Sequence, residues 1–374
     1  TTTITVKAPL RTFYVDSAIG NDACNGLSQT VQSATLCPWR TGTKAFNHLK
    51  GSSQPGDLVL FNRGQVFDIN AMFSGSAKPS GYGVGFGAYG VGRKPILKYT
   101  GTGDNTENLI YLQGINGLAY ISFRDLEFDL NKHASLELLY STGDFQNLLF
   151  YRDNVVNFAK GITVNSIDQS ASGMFVVETN IFNSTRFDGT HVGCQRTQRC
   201  ALVNSHLDLS TNHLAYDAGA INAVVYGNIL TESSHGRNVY RMIGAGTPST
   251  FARNVYIGYN FMGGWIDNRA ATSSQCGRNP CNRFSTDLVT LSLVDASDGP
   301  QMLENVMFEH NVITDSERFM NIGSSENITI RDNIFRTSEG DFDTSGYSGR
   351  IILENSGFNG APIINAKIID NNVI

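Results

Sequence analysis

Apolar and polar residues alternate over short stretches along most of the chain, and each stretch ends at an asparagine that is followed by another apolar residue. Six stretches show this pattern most clearly: LLFYRDNVV (148–156), MFVVETNIF (174–182), AVVYGNILT (223–231), VYIGYNFMG (255–263), VMFEHNVIT (306–314) and ITIRDNIFR (328–336). Alternation with a period of two predicts a strand with one buried face, and asparagine favours the bend that follows. The pattern therefore predicts many short strands separated by tight bends.

The asparagines of these stretches recur at intervals that define a repeat. Alignment places Asn154, Asn180, Asn228, Asn260, Asn311 and Asn333 in one column, and a weaker copy, ALVNSHLDL, adds His206. The successive separations are 26, 26, 22, 32, 51 and 22 residues. A base period of about 22 to 26 residues with insertions is typical of one coil of a parallel β-helix, whose coils bury their apolar faces only by stacking. Stacked asparagine side chains are expected to hydrogen-bond from coil to coil.

The amino-terminal part of the chain has a different pattern, which predicts a cap over the end of the solenoid. FYVDSAIGNDACNGLS reads as a strand and a turn region, a short amphipathic helix is expected over about 41–50, and PGD precedes another strand. An open solenoid end needs such a cover. We predict one β-helix domain over 1–374, with the cap and first coils in 1–100 and regular coils in 101–374. A disulfide-bearing loop is expected near 265–286, and a shorter insertion near 295–301.

Composition agrees with an all-β protein and excludes several functions. The 374 residues include 38 glycines, only 16% are charged, and the formal net charge is -5. This balance lacks the basic footprint of a nucleic-acid-binding protein, and no apolar run approaches the roughly 20 residues that span a bilayer. We therefore expect no nucleic-acid or membrane partner, and a monomer.

The six cysteines fall into three close pairs along the sequence: Cys24 and Cys37, Cys194 and Cys200, and Cys276 and Cys281. Local disulfides are the expected interpretation, and they indicate an oxidising compartment, hence a secreted or periplasmic protein. Zinc is the alternative, but the cysteines lack the CxxC spacing with a matching histidine pair.

The motif series YVD, GND, NG, PWRT and PGDLVLFNRGQVF, followed by coils that end in asparagine, resembles the right-handed parallel β-helix proteins of the pectate-lyase-like superfamily. The resemblance is strongest to its capped, secreted or periplasmic members, which include alginate lyases and chondroitinase B. It implies an all-β fold, a right-handed parallel β-helix with an amino-terminal cap that contains a short helix. It also implies action on a polysaccharide. Glycoside hydrolases, uronan epimerases and phage tailspikes share the superfamily, so the resemblance is more specific for fold than for reaction.

A second strand follows each asparagine bend, and its polar residues form the predicted site. Because adjacent coils stack about 4.8 Å apart, these residues become neighbours across one sheet. The stretch SSHGRNVYRMIG (233–244) is the centre of this prediction. Alternation places His235, Arg237 and Arg241 on the outer face, with Tyr240 and Met242 turned inward, because burying Arg241 without a paired charge would be costly.

An arginine-rich face in an acidic protein indicates an anionic polysaccharide. Between residues 161 and 366 the chain has thirteen arginines and no lysine, and guanidinium groups bind carboxylates with two-point geometry. For β-elimination at a uronic acid, Arg237 or Arg241 would neutralise the carboxylate, His235 would remove the proton, and Tyr216 or Tyr240 would protonate the leaving oxygen. The predicted substrate-binding residues are His191, His213, Tyr216, Asp217, Asp188, Arg269 and Arg283.

Other functions stay open on the same scaffold. A glycoside hydrolase would need a carboxylate pair, available among Asp188, Asp217, Glu232, Asp267 and Asp287. A non-catalytic binding or adhesion solenoid and an epimerase are further alternatives. His235 beside Gly236, and the Asp-Gly pair in RFDGTH (186–191), also have plain interpretations as turn residues.

No cofactor is certain from the sequence, and calcium is the candidate. DSAIGNDACNG (16–26) offers carboxylates and carbonyls for it, although the spacing favours a structural turn. Related lyases often pair calcium with a lysine, which the central coils lack.

Overall fold

The computed structural model describes residues 9–51, 53–70, 73–75, 83–101, 108–113, 118–133, 135–142, 145–166, 172–185, 189–210, 213–233, 238–244, 251–263, 289–291, 303–314, 318–336, 350–353 and 363–374. These residues form one α-helix, Gly42–Gly51, and three all-parallel sheets, here called A, B and C. Among the described residues, no helix has the length and apolarity needed to cross a membrane.

Sheet A has 13 strands: Arg11–Val15, Asp57–Asn62, Val84–Tyr89, Leu118–Arg124, Phe145–Tyr151, Ser172–Val177, Gln198–Val203, Ile221–Tyr226, Ala252–Gly258, Leu303–Glu309, Ser325–Arg331, Ile363–Ile364 and Lys367–Ile369. Sheet B has 11 strands: Val66–Ile69, Ile96–Tyr99, Glu127–Asp129, Asn154–Val156, Asn180–Phe182, His206–Ser210, Ile229–Ser233, Phe261–Gly263, Val312–Thr314, Ile334–Arg336 and Asn372–Val373. Sheet C has 10 strands: Phe73–Gly75, Asn108–Gln113, Glu137–Thr142, Lys160–Asn165, Val192–Gln195, Ala215–Ala218, Tyr240–Ile243, Val289–Leu291, Arg318–Ile322 and Arg350–Leu353.

The chain visits the three sheets in turn, so that each strand pairs in parallel with strands one coil before and one coil after it. This is a parallel β-helix, and the predicted fold class is confirmed. Inward-facing side chains of successive coils stack in columns; one column in sheet A runs Phe86, Phe123 and Phe150, with ring centroids 5.3 and 4.9 Å apart. Large apolar side chains thus fill the interior from coil to coil, which removes apolar surface from water.

A ladder of polar side chains runs along the bend between sheets A and B. Asn228, Asn260, Asn311, Asn333 and Asn371 are its later members, and each side-chain oxygen accepts the backbone N–H of the preceding member at 2.9 or 3.0 Å. The amide groups also bond to one another, as between Asn228 and Asn260 at 2.9 Å. The expected stacking of asparagines is confirmed for this part of the column.

The earlier members of the predicted column are shifted by one residue. Asn154 pairs with Asn180, Asn180 with His206, and His206 with Ile229. The ladder passes instead through the residues before them, Asp153, Thr179 and Ser205. Any small side chain with an acceptor oxygen can cap the backbone N–H of its neighbour, so asparagine does not mark the position by itself. The left-handed backbone conformation falls on the residue before each ladder member, such as Tyr259 with φ 59°.

The amino-terminal cap covers the first coil with the predicted helix. Phe46 of this helix stacks on Phe86 of the core at 5.3 Å between centroids, and Phe13 stacks on Trp39 at 4.8 Å. Asp57 is buried, and the Arg11 guanidinium bonds both of its oxygens. The cap therefore extends the apolar interior beyond the first strands.

Two of the three predicted disulfides form, Cys24–Cys37 in the cap and Cys194–Cys200 between sheets C and A. Both Cys194 and Cys200 are buried, so their bond spans the turn from sheet C to sheet A inside the coil. The pair Cys276 and Cys281 lies outside the described residues, as do the two predicted insertions.

Candidate functional site

The outer face of sheet C carries a row of six residues in register on successive strands. Backbone pairing joins Tyr111 to Tyr140, Thr163, Gly193, Tyr216 and Arg241 in that order. With strands about 4.8 Å apart, the row extends over about 24 Å. We call these six residues the sheet C row; the backbone pairing continues from Arg241 through Thr290 to Asn321.

The first part of the row is an aromatic platform followed by a low floor. The rings of Tyr111 and Tyr140 are parallel within 4° at 6.0 Å, and the Tyr111 hydroxyl lies 3.4 Å from that of Thr142. Thr163 and Gly193 follow with little side-chain bulk, and a Cβ at Gly193 would approach the Thr163 methyl group to 3.2 Å. Thr163 is 7% exposed, so little side-chain surface projects between the tyrosines and the rest of the row.

The second part of the row holds a cation over an aromatic ring. The Arg241 guanidinium carbon lies 5.7 Å from the centre of the Tyr216 ring. The His213 ring stacks on the same tyrosine, with 5.3 Å between ring centroids and 18° between ring planes. Cation–π contact orients Arg241 without neutralising its charge. Its Nε has no hydrogen-bond acceptor among the residues that the structure describes. The arrangement offers a positioned positive charge for an anionic group.

Arg241 thus faces outward, as the alternation predicts, and Tyr216 lies beside it. Tyr240 and Asp217 lie on the opposite side of the sheet, inside the coil, where the Tyr240 hydroxyl donates a 2.7 Å hydrogen bond to Asp217. Tyr240 is 0% exposed and Asp217 6%. The placement of Asp217 on the outer face needs correction: it shares a core column with Val164, Cys194 and Met242.

Burial shifts the pKa values of both Asp217 and Tyr240. It raises the pKa of Asp217 to about 6, an effect that the hydrogen bond from Tyr240 only partly offsets, and it raises the pKa of Tyr240 well above its usual value. A surface polymer has no access to either group, and this position is at odds with direct proton donation by Tyr240.

His191 is likewise buried, with its ring edge-on to Phe158 at 5.0 Å. Burial lowers the pKa of its imidazole to about 3, which the backbone of Leu209 and Ile181 opposes weakly. His191 is therefore a neutral core residue in this structure and not part of the outer face. His213 is also mostly buried, but its ring contacts the sheet C row through Tyr216.

Several predicted site residues lie outside the described residues: His235, Arg237, Asp188, Arg269 and Arg283. Their assignments stay predictions. In the sequence, His235 and Arg237 come shortly before the strand Tyr240–Ile243, which carries Arg241.

The sequence analysis missed Tyr111, Tyr140 and Thr163. The signal was present, because the strands NLIYLQ and ELLYST both carry tyrosine at the fourth position, and both pair in register. Those coils lack the asparagine bend on which the alignment depended, so they were not placed under the later ones.

The carboxylates of the segment predicted as a calcium site accept hydrogen bonds from the protein. Asp16 accepts from the backbone N–H groups of Ala18 and Ile19 and from Asn62 and Gln65. Asp22 accepts from the backbone of Arg40 and Thr41 and from the Thr41 hydroxyl. These contacts are those of a structural turn, and calcium binding by this segment stays a prediction.

Substitution of Asp217 by asparagine is expected to remove one source of pH-dependent stability. The folded pKa of about 6 exceeds the unfolded value of 3.8, so the wild-type contribution is present at low pH and is lost as pH rises through about 6. The amide still accepts the Tyr240 hydrogen bond. Relative to wild type, Asp217→Asn should gain about 2 kcal/mol of unfolding free energy between pH 4 and 7.

Urea denaturation across this pH range measures the effect as a difference between the two proteins, because Asp153 and His191, which are also buried, titrate equally in both. A parallel pair of stability–pH curves would show that Asp217 is ionised in the fold.

No protein-family model and no curated protein sequence matches the chain. Solved structures do match. The GH136 lacto-N-biosidase from Eubacterium ramulus superposes with a TM-score of 0.56 at 12% identity, over 97% of this chain and 67% of that one. The Dettilon tailspike protein gives a TM-score of 0.48 at 14% identity over 85% and 56% of the chains, and a rhamnogalacturonan lyase 0.45 at 11% over 96% and 87%.

The chain has a parallel β-helix fold. The resemblance drawn from the sequence is confirmed at this level, by the all-parallel sheets and by the superposition with the lacto-N-biosidase. At such identities, structural likeness is evidence of fold alone, and function is argued from the site.

Proposed function

We propose that this protein is a secreted enzyme that cleaves an acidic polysaccharide by β-elimination at a uronic acid. The observation that carries the proposal is the Arg241 guanidinium held over Tyr216 on the outer face of sheet C. The disulfides support an oxidising compartment, and structures of polysaccharide lyases and hydrolases are among those similar in fold.

The sheet C row has the shape and chemistry for an extended saccharide. Its length of about 24 Å admits several sugar rings side by side across the coils. The stacked rings of Tyr111 and Tyr140 offer an apolar platform to the C–H face of one sugar, and the floor at Thr163 and Gly193 leaves room for the next. Arg241 lies where a carboxylate further along the same polymer would need a partner.

In the proposed reaction, Arg241 pairs with the C5 carboxylate and stabilises the negative charge that develops when the C5 proton leaves. A base takes that proton, the C4–O bond breaks, and a C4–C5 double bond forms while the departing oxygen gains a proton. His235 is the proposed base. Tyr216, whose ring already contacts Arg241, is the proposed proton donor in place of the buried Tyr240.

Incubation of the protein with alginate, pectate, glycosaminoglycans and bacterial exopolysaccharides tests the proposal. We expect near-ultraviolet absorbance from the unsaturated sugar end to rise on at least one of them, together with new reducing ends. Parallel measurement of both signals separates the reactions, because hydrolysis produces reducing ends without the absorbance.

Reducing ends with flat absorbance would contradict the lyase proposal and favour the glycoside hydrolase, which would then draw on carboxylates such as Asp188, Asp267 and Asp287. Retention of a polymer with neither signal would favour a non-catalytic binding solenoid.

A further inference from the structure

A second surface, on the bend between sheets A and B, carries exposed aromatic rings. Tyr226 ends a strand of sheet A and is 39% exposed, and Tyr259 in the bend of the next coil is 52% exposed. Their ring centroids are 5.4 Å apart, and the Tyr259 ring lies 4.7 Å from that of His310 one coil further on. We call Tyr226, Tyr259 and His310 the bend patch.

Polar contacts hold the rim of the bend patch in place. The Tyr256 hydroxyl donates a 3.0 Å hydrogen bond to Glu309, and Arg331 donates two, at 2.7 and 2.6 Å, to the other oxygen of the same carboxylate. The Tyr256 ring lies 6.4 Å from Tyr226 and crosses Gly258, where a Cβ would approach its hydroxyl to 2.5 Å. Burial raises the pKa of Glu309, but the hydrogen bonds from Arg331 and Tyr256 outweigh this effect and hold the pKa below its usual value.

Tyr259 occupies a backbone conformation that a bulky side chain adopts only at a cost. The bend residues at this position in the described coils all have positive φ: Asp125, Arg152, Glu178, Asn204, Gly227, Tyr259, His310, Asp332 and Asp370. Aspartate, asparagine and glycine suit this conformation, whereas an aromatic residue there is unusual. The conformation is general to this bend and is also found at Arg152 and Glu178, so it does not by itself mark Tyr259 as functional; asparagine would adopt it more readily than tyrosine.

The chemistry of the surface narrows the choice of ligand. Exposed Ile229, Phe261 and Ile334 continue the apolar surface onto sheet B, but Glu309, Asp332 and Arg331 lie beside the rings. The cores of protein interfaces are depleted of such charges. A sugar combines an apolar C–H face, which stacks on aromatic rings, with a rim of hydroxyls that donate to carboxylates.

The charges also favour a neutral sugar over an anionic one, because in the described part of the patch two carboxylates, of Glu309 and Asp332, lie beside one guanidinium, that of Arg331. A metal ion is disfavoured since Arg331 is bonded directly to Glu309. We propose that the bend patch binds neutral saccharide units, on a face of the coil distinct from the sheet C row. This proposal does not rest on the β-elimination proposed above.

Affinity electrophoresis in native gels that contain galactan, xylan, galactomannan or hydroxyethyl cellulose tests it. We expect at least one gel to retard the protein, and Tyr259→Asn to raise the dissociation constant about tenfold. Asparagine removes the ring and suits the positive φ, so the melting temperature of the variant should equal or exceed that of wild type. Tyr120→Asn is the matched control, because Tyr120 is also 52% exposed with positive φ, but lies away from the patch.

Arg241→Gln should bind the neutral polymers as wild type does, which separates this surface from the sheet C row. Absence of retardation in every gel would overturn the proposal, as would equal retardation of wild type and Tyr259→Asn, or equal losses in Tyr259→Asn and Tyr120→Asn. Size-exclusion chromatography that shows a dimer abolished by Tyr259→Asn, without any sugar effect, would replace it with self-association.

Discussion

Replacement of Arg241 by glutamine is expected to lower kcat/KM on the acidic polysaccharide by about 100- to 1000-fold, the usual effect of losing a group that stabilises developing negative charge. Glutamine is shorter than arginine; it keeps some hydrogen-bonding capacity but loses the charge that would neutralise the uronate. Most of the effect should fall on kcat, because the charge on the sugar increases in the transition state. The rate of unsaturated product formation measures it.

The control is Arg152→Gln, since Arg152 also lies over a tyrosine ring, Tyr151, at 5.4 Å, but on another face of the coil. It should retain wild-type activity. Arg241→Lys should recover only part of the loss, because an ammonium lacks two-point geometry. Full activity in Arg241→Gln would show that the charge of Arg241 takes no part in the reaction. Arg237 would then become the candidate for pairing with the carboxylate.

Replacement of Asn260 by alanine is expected to destabilise the fold by about 3 to 5 kcal/mol, because it leaves several buried polar groups without partners. The Asn260 side chain accepts from both the backbone N–H and the amide of Asn228, and donates to the carbonyl of Val225 and to Asn311. Asn260 is 1% exposed, so water does not replace these bonds. Urea denaturation of the two proteins measures the difference.

Asn254→Gly on the same coil is the matched control. Asn254 also belongs to a ladder of amides, between Asn222 and Asn305, but this ladder is exposed to solvent and Asn254 has φ 56°, which glycine adopts readily. The substitution Asn254→Gly should lower the free energy of unfolding by less than about 1 kcal/mol. Equal costs for the two variants would mean that burial does not decide the value of an asparagine ladder in this protein.

The fold could be predicted because each coil repeats the same local solution. Period-two alternation predicted the strands, asparagine predicted the bends, and close cysteine pairs predicted Cys24–Cys37 and Cys194–Cys200. The shift at Asn154 arose because asparagine suits both the ladder and the position after it, as the Asn154–Asn180 hydrogen bond at 3.1 Å shows. One residue decides which face a side chain takes, so a repeat read by eye fixes coils more reliably than faces.

The candidate site was predicted in part, for the same reason. The outward position of Arg241 followed from the cost of burying its charge. Asp217 was placed among the surface residues, although its alternation with Tyr216 puts it in the core with Tyr240. The bend patch had no counterpart in the sequence analysis, because Tyr226, Tyr259 and His310 are 33 and 51 residues apart and stack only when the coils do.

The sequence by itself determined the strand period, the repeat length and the disulfides Cys24–Cys37 and Cys194–Cys200, since these depend on neighbours along the chain. Only the tertiary structure decided which residues share a row, that Tyr240 is hydrogen-bonded to Asp217 inside the coil, and that aromatic rings lie on two separate faces. The register between coils sets these contacts, and it results from packing of the whole interior, which no single coil specifies.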